Sequence, residues 1–276
     1  MRIFVTGGTG FIGSHFINEA HKRGHKVVAL KRMGSFPRIK LFKDPIWVEG
    51  QVDDFDLNCL EGCETIVHLA AHTPNPPYDT YSQCFFWNVL ATINLFEGAH
   101  LKGINNFLVA GTCFEYGNSG KRYKFIPTNA PLEPTSSYPA SKAAISLALS
   151  VWALENKVKV KILRLFQVYG EGELESRLWP SLVLAAKNGT DLDMTIGEQV
   201  RDFISVQDVS IKFNEELDFH DMKDKSFLVK NVGSGKPQTI KDFSEFWWKK
   251  LGATGTLKFG ELPYRDGEVM RYVPEL

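Results

Sequence analysis

A tyrosine and a lysine four residues apart, Tyr138 and Lys142 in the segment SSYPASKAA, could exchange protons with a bound molecule. Positions i and i+4 share one face of a helix, so the phenol and the ammonium would point the same way. A free tyrosine has a pKa near ~10, and a neighbouring ammonium favours the phenolate and lowers that pKa. The pair fits acid–base chemistry at neutral pH, although the spacing also occurs by chance.

A glycine loop stands at the start of the chain. Gly7, Gly10 and Gly13 have the spacing G-x-x-G-x-x-G, after the apolar run RIFVT and before a helical stretch that opens with Phe11 and Ile12. Such a strand-to-helix turn presents backbone N–H groups and the positive end of a helix to a pyrophosphate. The alternative is a turn that merely needs glycine. With a strand before it and a helix after it, the loop predicts nucleotide binding.

Short apolar runs alternate with longer amphipathic stretches along the first 166 residues. The strand-like runs are 2–6, 26–30, 45–49, 65–70, 106–110 and 160–166, and the helical stretches are 11–23, 81–102 and 138–156. This alternation predicts an α/β fold with a Rossmann-type, doubly wound parallel sheet. The pattern then changes, with a strand-like run at 226–230 and a helix near 239–251. We expect a smaller C-terminal substrate-binding lobe over the carboxyl edge of the sheet.

The charge balance gives no sign of a nucleic-acid or membrane partner. Lys+Arg and Asp+Glu are both 32, so the formal net charge of the 276 residues is zero. Cys59 and Cys63 have no nearby histidine or second pair, so no metal site is predicted, and the four cysteines are expected to be free thiols. The N-terminus has no signal-peptide layout, and we expect a cytoplasmic protein.

The glycine loop and the Y-x-x-x-K helix together make the chain resemble the extended short-chain dehydrogenase/reductases of the NAD-dependent epimerase/dehydratase family, which act on nucleotide sugars. The resemblance implies an NAD(P)-binding Rossmann domain at 1–166 plus about 203–229. It implies a nucleotide-sugar-binding lobe at about 167–202 and 230–276. It implies a homodimer, built from the helices at 81–102 and 138–156. The implied cofactor-binding residues are Gly7, Gly10, Phe11, Ile12, Gly13, Lys31, Arg32, Gln51, Val52, Leu69, Ala70, Ala71, Asn88, Tyr138 and Lys142.

The second strand indicates which cofactor is preferred. In the related fingerprint this strand ends in an acidic residue that holds the ribose hydroxyls, whereas here it runs into Lys31 and Arg32. A cation suits a 2′-phosphate, so NADP(H) is expected to be preferred, with NAD(H) possible. The alternative is two solvated surface cations. Gln51 replaces the aspartate that the family uses near the adenine.

The third member of the implied catalytic set is a Ser or Thr after the fifth strand. Counting back four residues from Tyr116 in VAGTCFEYG gives Thr112, which would orient the substrate oxygen beside Tyr138 and Lys142. The alternative is a threonine that caps the strand end. Dehydratases of this family carry Asp-Glu directly after this position. Cys113 and Phe114 stand there instead, which argues against a 4,6-dehydratase.

The resemblance also implies substrate contacts in the last third of the chain. Arg201, in EQVRDFISVQDV, and Arg265, in PYRDGEVMR, would bind the phosphates of the nucleotide. The alternative for each is a surface arginine in a salt bridge. Gln167 takes the place of an asparagine before Val-Tyr-Gly, and Thr112 would touch the substrate as well.

The segments GEQVRDFISVQDV, VGSGKPQTIKDF and FGELPYRDGEVM are similar to those of nucleotide 4-keto-6-deoxyhexose 4-reductases. The expected function is therefore an NADP(H)-dependent reductase of a nucleotide sugar. The first alternative is an epimerase that uses the same three residues. The second is a non-catalytic NADPH-binding redox sensor, which would not need Tyr138 and Lys142. The base, the sugar and the stereochemistry stay open.

Overall fold

The computed structural model describes residues 1–222, 226–265 and 267–276. The strands are β1 Arg2–Thr6, β2 Lys26–Lys31, β3 Ile46–Glu49, β4 Thr65–His68, β5 Asn106–Thr112, β6 Lys159–Leu165, β7 Gln167–Tyr169, β8 Leu192–Met194, β9 Val200–Ser205, β10 Phe227–Val232, β11 Pro237–Thr239, β12 Leu257–Phe259 and β13 Arg271–Tyr272. The α-helices are α1 Phe11–Lys22, α2 Tyr81–Phe85, α3 Ala91–Leu101, α4 Ser137–Glu155, α5 Leu178–Asn188, α6 Val206–Glu215 and α7 Ile240–Lys250.

Seven strands form one parallel sheet in the order β10-β6-β5-β4-β1-β2-β3. The chain builds outward from β1 to β3 and then returns to place β4 on the other side of β1. This reversal opens a crevice between the carboxyl ends of β1 and β4, where doubly wound sheets bind their ligands. The predicted Rossmann-type sheet is confirmed.

Alternate residues of each strand pack on opposite faces of the sheet, as the two-residue period of a strand requires. Ile3 and Val5 of β1 belong to a core cluster that includes residues of α1 and α6, whereas Phe4 belongs to the cluster that includes residues of α3 and α4. Because both faces are covered, the strands consist of almost uninterrupted apolar residues. The strands appear as apolar runs in the sequence because both of their faces are buried.

The chain after β6 adds two smaller sheets. One combines β7, β9, β11 and β13, and the other pairs β8 with β12. Aromatic rings fill the space beneath helices α5 and α7, with Tyr169 5.0 Å and Phe203 3.9 Å from Phe243, centroid to centroid. These elements follow the carboxyl end of β6, with a single residue between β6 and β7.

The predicted helix at 81–102 contains an irregularity. α2 and α3 are joined by a π-helical turn, Phe86–Leu90, whose flanking residues keep helical backbone angles. Asn88 lies in this turn and is 3% exposed. π turns inside α-helices are frequent at functional sites, so the position of Asn88 in this turn agrees with a role in the site.

No helix in the described ranges is long and apolar enough to cross a membrane. The four cysteines are free, as expected from the sequence.

Candidate active site at the carboxyl end of the sheet

The glycine loop brings three backbone segments together with no side chain between them. A Cβ on Gly13 would lie 2.1 Å from the carbonyl oxygen of Gly7, and a Cβ on Gly7 would lie 2.6 Å from the nitrogen of Ala70. Gly7 also has a φ of +71°, which favours glycine. Helix α1 then starts at Phe11 with no side chain capping its N-terminus. Its first N–H groups, including that of Ile12, suit a pyrophosphate, so the residues present fit a dinucleotide.

The two cations after β2 differ in their surroundings. The Nζ atom of Lys31 lies 3.2 Å from a carboxylate oxygen of Glu49 and 5.8 Å from the ring centroid of Trp47. Arg32 is exposed and forms no ion pair with any residue that the structure describes. Lys31 is therefore already paired, whereas Arg32 is open to an anion.

The adenine-side segment forms a tight turn at the end of β3. The N–H of Gln51 donates to the carbonyl of Asp54 at 2.9 Å, and that of Asp54 donates back at 3.1 Å. The side chain of Gln51 is exposed, and Val52 packs partly against the core under α3. The turn places Gln51 at the same sheet edge as Arg32.

Asn88 links the segment after β4 to the helix that carries Tyr138. Its Oδ1 accepts from the N–H of His72 at 2.7 Å, and its Nδ2 donates to Ser141 Oγ at 2.9 Å. Ser141 Oγ donates in turn to the carbonyl of Tyr138 at 2.8 Å. Leu69, Ala70 and Ala71 lie between β4 and His72, so Asn88 fixes this segment against α4. Its Oδ1 atom, with one donor here, can accept a second hydrogen bond.

A buried histidine supports the same segment from below. His68 is 3% exposed, with Nδ1 2.8 Å from Thr6 Oγ1 and Nε2 3.2 Å from Thr92 Oγ1. Burial, and to a lesser extent the charge of Lys142, lowers the pKa of His68 to about 3. His68 is therefore neutral at physiological pH. His68 was not predicted as a site residue, although it lies in the strand-like run 65–70.

Thr112, Tyr138 and Lys142 lie together at the carboxyl end of β5 and the start of α4. They are 7%, 6% and 3% exposed. Burial raises the pKa of Tyr138, and the charge of Glu115 raises it further, whereas the Thr112 side chain acts in the opposite direction. Burial lowers the pKa of Lys142, and Glu115 opposes that change. The expected lowering of the Tyr138 pKa is therefore wrong for the free site, where burial keeps the phenol a neutral acid.

The Thr112 hydroxyl has two roles. It accepts from the N–H of Phe114 at 3.3 Å and so caps a 3₁₀ turn, Cys113–Glu115, as the alternative interpretation expected. A hydroxyl that accepts one bond still has its own O–H to donate. Capping therefore leaves Thr112 able to bond a substrate oxygen.

Glu115 is a fully buried carboxylate beneath these three residues. Its Oε1 accepts from the N–H of Thr112 at 2.8 Å, and its Oε2 accepts from Ser146 Oγ and from Arg164 Nε, both at 2.8 Å. The Arg164 guanidinium lies 4.6 Å from the ring centroid of Tyr116. The ion pair joins β5, α4 and β6. This ion pair was not predicted from the sequence, although the arginine inside the apolar run VKILRLF indicates a buried charge.

A second tyrosine covers Tyr138. The ring of Tyr78 stacks on it with centroids 5.5 Å apart and an interplanar angle of 29°. Ser137 Oγ donates to the carbonyl of Asp79 at 2.6 Å, which ties the loop after β4 to the start of α4. Burial raises the pKa of Tyr78, while the charges of Arg177 and Arg265 lower it.

The predicted substrate residues lie on the side of the smaller sheets. Arg201 donates to Glu268 Oε1 at 2.8 Å and is part-buried, so the salt bridge of the alternative interpretation exists. Arg201 and Arg177 both lower the pKa of Cys113, which burial raises to about 12. Arg265 is exposed, and its charge reaches Tyr78. The charges of the two predicted arginines thus each lower the pKa of one of these two groups, Arg201 that of Cys113 and Arg265 that of Tyr78.

Gln167 is half-buried in β7, where it pairs with Phe203 of β9. No side-chain hydrogen bond is formed by Gln167 within the described residues. The same residues contain no group of three or more histidine, cysteine, aspartate or glutamate side chains placed to hold a metal ion.

Comparison with known proteins gives a family for this architecture. Residues 3–211 match the NAD dependent epimerase/dehydratase family. The chain is 27% identical to CDP-abequose synthase of Salmonella muenchen, covering 98% of this chain and 87% of that protein. It is 26% identical to UDP-glucose 4-epimerase of Corynebacterium glutamicum, covering 89% and 79%. The structure of MoeE5 in complex with UDP-glucuronic acid and NAD superposes with a TM-score of 0.81 at 27% identity, covering 100% of this chain and 90% of that chain.

We expect Glu115→Gln to lower the free energy of unfolding by about 3–5 kcal/mol, because Arg164 would remain as a buried charge without its partner. Urea denaturation followed by circular dichroism measures this loss. Adding Arg164→Met removes the stranded charge and should recover part of the stability. Equal stability of the natural protein and the Glu115→Gln variant would contradict the role given to this ion pair.

Proposed function

The chain belongs to the NAD dependent epimerase/dehydratase family, and we propose that it is an NADP(H)-dependent reductase of a nucleotide 4-keto-6-deoxyhexose. One observation carries the proposal: Tyr138 is a buried, protonated phenol beside Thr112, so it can act as the single proton donor that ketone reduction needs. Cys113 and Phe114 replace the acid and base of the dehydratases, and burial raises the pKa of Cys113 to about 12. Glu115 is fixed by Arg164. Ketone reduction needs one proton donor, whereas dehydration needs a further acid–base pair.

In this proposal the nucleotide sugar lies between the parallel sheet and the lobe supplied by about 167–202 and 230–276. Arg201 and Arg265 hold its diphosphate, because guanidinium groups bond such oxygens bidentately and keep their charge. Gln167 lies on the same side, at the start of β7. Thr112 donates to the sugar oxygen and orients it toward Tyr138.

When bound, a nicotinamide dinucleotide would supply the hydride that reduces the ketone carbon. Tyr138 gives its proton to the sugar oxygen, which completes the alcohol. Lys142, behind Tyr138 on the same face of α4, compensates the charge left on the phenolate and holds the nicotinamide ribose. Asn88 keeps α4 at a fixed distance from the segment after β4, so the three groups stay aligned.

The preference for NADP(H) rests on Arg32. It is exposed, belongs to no ion pair among described residues and follows β2, which does not itself end in an acidic residue; the neighbouring Glu49 of β3 is paired with Lys31. Lys31 contributes less in this proposal, because Glu49 already neutralises it. NAD(H) would lose the charge-assisted bonds to the 2′-phosphate.

An epimerase is the second candidate, since the same Thr112, Tyr138 and Lys142 would serve it and the chain resembles a UDP-glucose 4-epimerase over 89% of its length. An epimerase returns the hydride it removes, so it retains its dinucleotide. The exposed Arg32 instead favours a cofactor that enters and leaves.

We also propose a homodimer. Seven large apolar side chains on two neighbouring helical segments are between 37% and 70% exposed, namely Tyr81, Phe85, Phe86, Leu90, Leu147, Val151 and Leu154. The segment 81–90 carries no charged residue, and the positions 147, 151 and 154 form one stripe of α4. An uncharged apolar surface is complementary to itself, so a second copy covers it with an isologous interface.

With NADPH deuterated at the transferable position of nicotinamide C4, we expect the label on the sugar carbon that was the ketone, one per NADPH oxidised. A CDP-linked 4-keto-6-deoxy sugar is the first substrate to use, and mass spectrometry with NMR locates the label. Tyr138→Phe keeps the ring but removes the proton, so turnover should fall roughly 10²–10⁴-fold with cofactor affinity unchanged. An unlabelled product formed without net NADPH oxidation would exclude the reductase and favour the epimerase.

NADPH should bind about 10- to 150-fold more tightly than NADH, because a charge-assisted bond to Arg32 contributes about 1.5–3 kcal/mol. Arg32→Ala should remove most of this difference, as measured by fluorescence titration of both dinucleotides. Lys31→Ala is the matched control and should change the ratio less, since Lys31 is paired with Glu49. Equal affinities in the natural protein would refute the cofactor assignment.

Light scattering should give the mass of a dimer at micromolar concentration. Leu147→Lys with Val151→Lys puts like charges at the centre of the proposed interface, so we expect this variant to be a monomer with its secondary structure intact. Lys substitutions at Leu101, which is 86% exposed at the far end of α3, provide a control that should remain dimeric. A monomeric natural protein would end the proposal.

A further inference from the structure

Helix α4 begins without the usual support of a helix terminus. Ser136 is its N-cap residue, but the Ser136 side chain caps no N–H group among the described residues, and the first turn of α4 contains no acidic residue. Helix ends fray where their free N–H groups have no partner. Tyr138 is the second residue of α4, so the position of its ring depends on contacts from outside the helix.

Residues 72–79, the Tyr78 loop, make two adjacent contacts with this turn. The ring of Tyr78 stacks on the ring of Tyr138, with centroids 5.5 Å apart and an interplanar angle of 29°. The next residue of the loop, Asp79, accepts a hydrogen bond at its carbonyl from Ser137 Oγ at 2.6 Å. Neighbouring residues of the loop thus contact neighbouring residues of α4. Because the stack and the hydrogen bond lie side by side, they restrict both the place of the first turn and the tilt of the Tyr138 ring.

The Tyr78 loop is itself closed by contacts between its two ends. His72 Nε2 lies 2.9 Å from Asp79 Oδ2, and the N–H of Asp79 donates to Thr73 Oγ1 at 3.4 Å. Asn88 holds the backbone of His72 on both sides, since its Oδ1 accepts from the N–H at 2.7 Å and its Nδ2 donates to the carbonyl at 3.3 Å. Moving Tyr78 away from Tyr138 would therefore require breaking bonds at the base of the loop.

Core packing does not account for the place of Tyr78. Its ring is half-buried, and Tyr78 belongs to none of the apolar core clusters that the described residues form. Within the described ranges, the ring on which it stacks is that of Tyr138. The Tyr78 loop therefore directs this aromatic side chain to Tyr138 and not into the core.

We propose that Tyr78 is a positioning residue, whose stacked ring holds the phenol of Tyr138 in the orientation from which it gives its proton to the sugar oxygen. The inference rests on the acid–base role of Tyr138 in the proposed function, which the reductase and the epimerase share. The ring of Tyr78, not its hydroxyl, has this role, because the ring is the part in contact with Tyr138. Proton transfer depends steeply on geometry, and a displacement of about 1 Å can cost about 10²-fold in rate.

Steady-state kinetics with NADPH and a CDP-linked 4-keto-6-deoxy sugar test the inference on the purified enzyme. Tyr78→Leu removes the ring but keeps an apolar side chain, so kcat should fall about 10- to 100-fold while the KM for the sugar changes less than about threefold. Tyr78→Phe keeps the ring without the hydroxyl and should retain the kcat of the natural protein. Phe42→Leu is the matched control, because it removes an exposed ring that lies under Lys22 of α1, and it should leave kcat unchanged.

Hydrogen–deuterium exchange followed by mass spectrometry examines the start of α4 in the free protein, without any substrate. The segment 137–142 should exchange faster in Tyr78→Leu and also in Ser137→Ala, which removes the neighbouring hydrogen bond to Asp79. Tyr78→Phe and Phe42→Leu should exchange as the natural protein does.

Either unchanged exchange or unchanged kcat in Tyr78→Leu would overturn the inference, and so would an equal loss of kcat in Tyr78→Phe. A natural protein that turns over no nucleotide sugar would instead overturn the proposed function. In that case the exchange of 137–142 still decides whether Tyr78 holds the first turn of α4.

Discussion

The buried carboxylate of Glu115 holds together the three elements on which the candidate active site depends. Through its two oxygens it binds the backbone of Thr112 at the end of β5, Ser146 on α4 and Arg164 on β6. Ser146 lies one helical turn beyond Lys142, so the same carboxylate fixes how α4 presents its first two turns. A buried charge of this kind is tolerated only when it is fully paired, and here each oxygen has a donor. The hydrogen bonds of Glu115 thus fix the relative positions of Thr112, Tyr138 and Lys142.

The charge of Glu115 also affects the pKa values of Tyr138 and Lys142. Glu115 raises the pKa of Tyr138 and supports the ammonium of Lys142 against the effect of burial. His68 is neutral because of its burial and does not compete for the proton. The free site therefore presents a protonated phenol beside a buried amine whose pKa is lowered by burial. A ligand that brings positive charge, or an oxygen that accepts a hydrogen bond, near Tyr138 therefore meets a phenol that is already protonated.

Much of this arrangement could be predicted from the sequence because the relevant signals are local. The apolar strands, the glycine turn and the spacing of Tyr138 and Lys142 each depend on residues close in the chain, and the structure places all of them as expected. Glu115 and Arg164 are 49 residues apart and meet only because β5 and β6 are neighbours. Tyr78 lies in a loop whose position depends on what it packs against. Asn88 was expected from the resemblance, but its bonds to His72 and Ser141 could not be foreseen.

The π turn at Phe86–Leu90 sets the rotational phase of the whole helical segment 81–101. A π turn holds one residue more than an α turn, so the residues before it are rotated by about 100° relative to an uninterrupted helix. Cys84, Asn88 and Thr92 are buried, while Tyr81 and Phe85 are exposed. Loss of one residue outside the π turn would put the turns before and after it out of step. Such a deletion would therefore disturb the active-site side and the exposed apolar side of the helix at once.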